Sequence, residues 1–244
     1  MNNDDHFVPQ FYLRRWADKG KLSVARYIEQ KEEIVWSELS PKGTGYEEGL
    51  YKELEEKFFK PLDDKGAKTT EWFEENKTDY FNKLDMGAEK HLNWAKYILA
   101  QLVRIPEVFK EMTTKYVNMG ITETDSRIIA TKVIENENAI RDLRALTWVF
   151  ANVGCNHELV TCDNPLIFKP RDLLHPKCVI ILPMGPKSFF MATNKNNLSN
   201  LTTNQSEMVS SINQEIIKNA KERIYAKSKH SISESFLVKH WNKT

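Results

Sequence analysis

The sequence predicts an α+β fold, with a mainly helical middle and a small antiparallel sheet formed by strands from the N-terminal and C-terminal parts of the chain. Three observations predict it. Apolar residues recur at helical spacing over residues 46–153, short β-branched or aromatic runs separated by turn residues occupy residues 155–226, and a strand-like alternation precedes both. The chain has 244 residues, 41% of them hydrophobic, which is enough apolar matter for one sizeable core, so residues 1–244 read as a single domain.

The chain opens on His6-Phe7-Val8-Pro9-Gln10-Phe11-Tyr12-Leu13-Arg14-Arg15-Trp16, where a histidine, an amide and two arginines interleave with bulky apolar residues. Pro9 disfavours the α region for Val8, so residues 6–8 should be extended and the chain turns helical from Gln10. Leu22, Val24, Tyr27 and Ile28 then mark a strand over residues 21–28, with residues 33–36 as its hairpin partner. Residues 40–45, Ser-Pro-Lys-Gly-Thr-Gly, break the chain. Leu50, Leu54 and Phe58 predict a helix over residues 46–60 that Pro61 ends, and Asp63-Asp64-Lys65-Gly66 reads as a solvated turn.

Trp72, Phe73, Tyr80 and Phe81 predict a helix over residues 70–83. Leu92, Ala95, Leu99, Leu102 and Val103 share one face of a helix over residues 88–105, and Pro106 starts the next, which Gly120 stops. Residues 122–153 form the longest helix-compatible stretch, with Trp148, Val149 and Phe150 on its buried side. Asn136 and Asn138 weaken its centre, so it reads as one helix or two. After Gly154 the runs at residues 159–161, 166–168, 179–182 and 189–191 predict antiparallel strands. A loop over residues 194–203, a helix over residues 204–220, a strand at residues 223–226 and a helix at residues 234–241 complete the reading.

Composition bounds the function. Lysine and arginine number 35 against 34 acidic residues, a formal net charge of +1, so no broad basic coat for nucleic acid is present. Three cysteines, Cys155, Cys162 and Cys178, show no C-x-x-C spacing, and neither a disulfide framework nor a thiolate zinc site is predicted. The polar, acidic start and the lack of an apolar run near the roughly 20 residues that span a bilayer predict a cytoplasmic protein without a membrane segment. Phosphate-loop, dinucleotide, H-E-x-x-H and G-x-S-x-G patterns are missing, so no cofactor or metal is specified.

Three constellations carry the candidate chemistry. Gln10 and Arg14 lie four apart on one helical face beyond His6, so an amide, a guanidinium and an imidazole can converge, or the first two bond nearby backbone. Gln101 and Arg104 are bordered by Leu99, Leu102, Val103 and Ile105, and a buried guanidinium there requires an anionic ligand or a carboxylate such as Glu55 or Asp163. Thr161-Cys162-Asp163-Asn164-Pro165 places Asp163 at a strand end, as a general base, a metal ligand or a positioner for His6, or equally as an ordinary turn. Asn213, inside the apolar stripe of its helix, joins them as a weaker fourth. Cys162 next to Asp163 is a poor nucleophile, because the carboxylate raises its pKa.

These motifs together resemble a mainly bacterial family known as a domain of unknown function (number four-two-three-eight). The resemblance lies in His6, Pro9, Gln10, Tyr12, Leu13 and Arg14, in Gln101-x-x-Arg104-x-Pro106, and in residues 161–165. It continues in the Pro183-Met184-Gly185-Pro186 turn and in Asn213 leading into Arg223-Ile224-Tyr225-Ala226. Cys162 replaces the usual serine, and Asp5 stands where many relatives carry a second histidine. The resemblance implies a common fold and a polar centre built from these motifs, with no activity attached. The leading expectation is a hydrolase-like enzyme acting on a phosphate-bearing ligand, nucleotide or nucleic acid. In it His6 acts as acid/base, Asp163 as orienter or metal ligand, and Arg14 and Arg104 hold phosphate charge, while Gln10, Gln101, Asn164 and Asn213 bind substrate. The competing expectations are a non-catalytic anion-binding or sensing module and a purely structural polar cluster. Oligomeric state is left open.

Overall fold

The computed structural model describes residues 4–76, 82–83, 86–198 and 204–241. Strand β1 (Asp4–His6) is extended ahead of Pro9, and the short helix α1 (Gln10–Leu13) begins directly after it, running on through a 3₁₀ turn to Trp16. The predicted hairpin forms from β2 (Leu22–Ile28) and β3 (Glu33–Leu39), turned by Glu32 in the left-handed region. Gly45, at φ +70°, precedes β4 (Tyr46–Glu48), the partner of β1. A Cβ on Gly45 would come within 3.0 Å of Val8, so only glycine lets this segment lie against the opening motif.

The expected helix over residues 46–60 is corrected at both ends. Its start is β4, and Pro61 does not end it. A π-helical turn at Glu55–Phe59 feeds α2 (Lys60–Glu75), and Pro61 sits in the first turn of α2, where its missing N–H costs no bond. Residues 63–66 are therefore helix rather than turn, and the helix expected over 70–83 ends at Glu75. Asn82–Lys83 is strand β5, while Tyr80 and Phe81 lie outside the described residues. Helices α3 (Gly87–Val103) and α4 (Pro106–Asn118) follow as expected, divided at Pro106.

The long stretch from 122 separates into α5 (Glu123–Lys132), α6 (Glu137–Ala145) and β6 (Thr147–Asn152), with Asn136 capping α6 through its side chain. Trp148, Val149 and Phe150 are thus on a strand, not a helix. A run buried on both faces has no period-2 signature to separate it from a buried helix. The expected strands follow as β7 (Thr161–Cys162), β8 (Ile167–Lys169), β9 (Val179–Gly185) and β10 (Ser188–Thr193). A short helix α7 (Lys195–Leu198) occupies part of the expected loop, and residues 199–203 lie outside the described residues. Helix α8 (Gln205–Asn219), β11 (Ile224–Ala226) and α9 (Glu234–His240) close the chain.

The sheet joining the two ends of the chain exists, in the antiparallel order β3-β2-β11-β7. A second antiparallel sheet, β5-β6-β10-β9-β8, holds the remaining later strands, so the arrangement is richer than one sheet. Alternation along β6 and β10 divides the core. Trp148, Phe150, Phe190 and Ala192 pack with Trp94, Phe73 and Leu143 of the helical layer. Val149, Ala151, Phe189 and Met191 pack with Val209, Ile212 and Ile216 of α8 and with Ala25 and Ile224 of the other sheet. Among the described residues no helix is long and apolar enough to cross a membrane.

Candidate functional site

Arg104 caps the C-terminus of α3 with only 1% of its surface exposed. Its two terminal nitrogens are satisfied from within the chain: Nη1 donates to Asp63 Oδ1 at 2.6 Å, and Nη2 to Asp63 Oδ2 at 3.2 Å and to the His6 carbonyl at 2.8 Å, while Nε is buried without a partner among the described residues. The fork also stands 5.0 Å over the Phe59 ring. The carboxylate expected opposite Arg104 is therefore Asp63, not Glu55 or Asp163, and the guanidinium is sealed in an ion pair instead of facing a ligand. Asp5 and Tyr51 complete the cluster. Asp5 Oδ2 accepts the backbone N–H of Tyr51 at 2.6 Å and of Lys52 at 2.9 Å, and Tyr51 Oη donates to the Arg104 carbonyl. Glu55, on the π-helical turn, keeps one buried carboxylate oxygen without a partner, and burial pushes its pKa up to about 7.

His6 meets this cluster through its backbone. Its imidazole faces two carbonyls, Asp4 O from Nδ1 at 3.1 Å and Lys42 O from Nε2 at 3.3 Å, and burial lowers its pKa. A neutral ring donates to only one of them. Asp163 is also held by backbone: Oδ1 accepts from Lys221 N at 2.8 Å, and Oδ2 from Glu222 N at 2.7 Å and Arg223 N at 2.9 Å. Burial raises its carboxyl to about 6 against the pull of these three donors.

Asn213 Oδ1 accepts Val160 N, and its Nδ2 donates to the Glu158 carbonyl, both at 2.9 Å, clamping α8 to the irregular segment that leads into β7. Gln101 is buried, with Nε2 3.4 Å from the Tyr97 carbonyl. Asn164 is buried, its carbonyl accepting the Cys162 thiol at 3.1 Å. The thiol's pKa is raised, first by burial and then by Asp163. Gln10 is half-buried. Arg14 is exposed, whereas its neighbour Arg15 points inward to Glu74 and the Met184 carbonyl. The first constellation thus does not converge as a triad.

What converges is the set of segments. Tyr12 Oη and Thr161 Oγ1 are 2.7 Å apart, Trp16 Nε1 donates to the Leu159 carbonyl, and Arg223 Nη1 donates to Thr44 Oγ1 at 3.0 Å. At Arg223, the last of these ties borders a cavity of about 250 Å³, lined by Phe7, Ile105, Pro106, Asp163 and Arg223 together with Tyr46, Glu47, Glu107, Lys110, Lys221 and Glu222. Phe7, Ile105, Pro106, Asp163 and Arg223 belong to the motifs, whereas Tyr46, Glu47 and Lys110 do not. Lys110 is paired with Glu47 at 2.6 Å, whereas Arg223 has no carboxylate partner among the described residues. Sequence reasoning quoted Arg223 only within a motif, and missed Asp63 by placing it in a turn. No group of three or more histidine, cysteine or acidic residues able to hold a metal occurs among the described residues, and the three cysteines are free thiols.

Fold and site together define an α+β protein whose motif segments are stitched around one mixed-charge cavity. The chain belongs to the family described as Protein of unknown function (DUF4238), which it matches over residues 5–230. Neither the curated proteins nor the solved structures gave a match.

Proposed function

We propose that the protein binds a small phosphate-bearing molecule, such as a sugar phosphate or mononucleotide, in the cavity between the opening motif, the α3–α4 junction and the Asp163 turn. Arg223 is its anion hook. The observation that supports this reading is that four motif segments meet at one cavity and leave the Arg223 guanidinium there without a carboxylate partner among the described residues. At about 250 Å³ the cavity falls just below the usual range of roughly 300–1,000 Å³ for ligand pockets, which favours a compact ligand over a nucleic-acid strand. The acidic residues beside Arg223 favour a ligand that also carries hydrogen-bond donors, as a sugar does.

Calorimetric titration with ribose 5-phosphate, adenosine monophosphate and inorganic phosphate tests the reading. We expect saturable binding that weakens at least about tenfold in Arg223→Gln and is unchanged in Arg14→Gln. No binding by the parent protein, or equal binding by Arg223→Gln, overturns it. Hydrolysis of the bound ester is a second reading, favoured by Asp163: its carboxyl lies near neutrality in the cavity wall, with three lone-pair positions filled and a fourth left. Release of inorganic phosphate from a ligand that binds would support that reading, and binding without release would remove it.

A further inference from the structure

Residues of α3 and α6 line a broad, open cleft of about 650 Å³, within the usual ligand range. Its apolar floor is formed by Leu92 and Ile140, and Ala145, which also lines it, is exposed. Two half-buried cations, Lys96 and Arg144, stand in its wall, and neither has a carboxylate partner among the described residues. A half-buried cation left without a counter-charge has lost part of its hydration, so a ligand anion is its natural complement. Glu135 and Glu137 are exposed at the rim, and Glu135 is engaged by Lys132 at 3.3 Å.

Arg144 is also oriented. Its Nε donates to His91 Nδ1 at 3.1 Å, and the His91 ring is itself pinned against Trp148, with centroids 3.8 Å apart. An imidazole that accepts from a guanidinium is neutral and carries its proton on Nε2. Burial and the Arg144 charge both lower the His91 pKa, in keeping with that state. With Nε occupied, the two Nη groups remain as a planar fork, the geometry that grips an oxyanion through two parallel bonds.

We propose that this cavity is a second ligand site, which takes an oxyanion carried on an apolar chain, with Arg144 and Lys96 holding the head group, the α3–α6 floor taking the chain, and His91 acting as a positioning residue for Arg144. Calorimetric titration of the full chain with dodecanoate, dodecyl phosphate and uncharged dodecanol, below micelle-forming concentrations, tests it. We expect one-to-one binding of the two anions and at least tenfold weaker binding of dodecanol. Arg144→Gln and Lys96→Gln should each weaken the anions about tenfold or more, with melting temperatures close to the parent's. His91→Phe keeps a ring against Trp148 but removes the acceptor, and should lose affinity that His91→Gln, which retains an acceptor, recovers. Nitrogen NMR of the histidines should show His91 with an unprotonated Nδ1. Equal binding of dodecanol and dodecanoate, or full anion affinity in both Arg144→Gln and Lys96→Gln, overturns the proposal. So does the absence of saturable binding by the parent protein.

Discussion

At the residue scale, Arg104 and Asp63 show how a polar motif inside an apolar helix is satisfied. Taking a guanidinium out of water is costly, and the bidentate pair with Asp63, the His6 carbonyl and the Phe59 face together offset that cost. Arg104→Ala should therefore lower stability by up to about 3–5 kcal/mol, because it strands a carboxylate whose side chain is only 16% exposed. Urea titration of the parent and the variant measures this, and a loss under about 1 kcal/mol would show that the pair is dispensable. Glu55 titrates beside them. Its carboxyl is raised from 4.5 to about 7 by burial, so between those values the folded chain holds a proton that the unfolded chain has released. Stability from this group is full at acidic pH and is lost as pH rises through about 7. Glu55→Gln should flatten that decline, and urea midpoints compared at pH 5 and pH 8 would show it. An unchanged slope would assign the pH dependence to other groups.

Helix α2 shows, at the scale of elements, why local signals misled. Pro61 and the Asp-Asp-Lys-Gly run both read as interruptions, yet Leu62, Gly66, Thr69, Thr70 and Phe73 are buried at helical spacing straight through them. A proline in the first helical turn forfeits nothing, and the π-helical turn before it absorbs the change of register. Asp63 was misplaced for the same reason, although the continuing period carried a signal that could have found it. Gly66 is there for close approach: a Cβ would lie 2.8 Å from the buried Tyr97 ring of α3. Gly66→Ala improves helix propensity by about 1 kcal/mol but forces α2 and α3 apart, and overpacking of this kind costs typically 1–3 kcal/mol. We expect a net loss in thermal denaturation, and a gain would mean that Tyr97 can move aside. Strand β6 is the opposite case. Its pattern was legible as buried, but burial on both faces hid whether it was helix or strand.

At the scale of the whole molecule, the β2–β3 hairpin from the start of the chain pairs through β2 with β11 from its end, and β11 in turn pairs with β7. The Asp163 carboxylate fixes the turn at residues 221–223 that delivers β11. Removing residues 221–244 should therefore expose Val24 and Ala25 of the hairpin and abolish cooperative unfolding of the whole chain. The full chain should melt in one transition with coincident near- and far-ultraviolet signals. A truncated chain that still unfolds cooperatively would show the sheet to be dispensable.

The sequence by itself determined the α+β class, the early hairpin, the α3–α4 break at Pro106, the later strands and the short list of polar residues that the core must accommodate. These rest on periodicity, proline and turn chemistry, which act over a few neighbouring residues. Only the tertiary structure decided that Arg104 is spent on Asp63, that Asp163 and Asn213 hold backbone, that Arg14 faces solvent, and that Arg223 and Arg144 face cavities. A polar group inside an apolar helix must be satisfied by something, but its partner lies 41 residues away for Arg104 and 53 for Asn213. Spacing along the chain carries no information about which distant group the fold will bring to it.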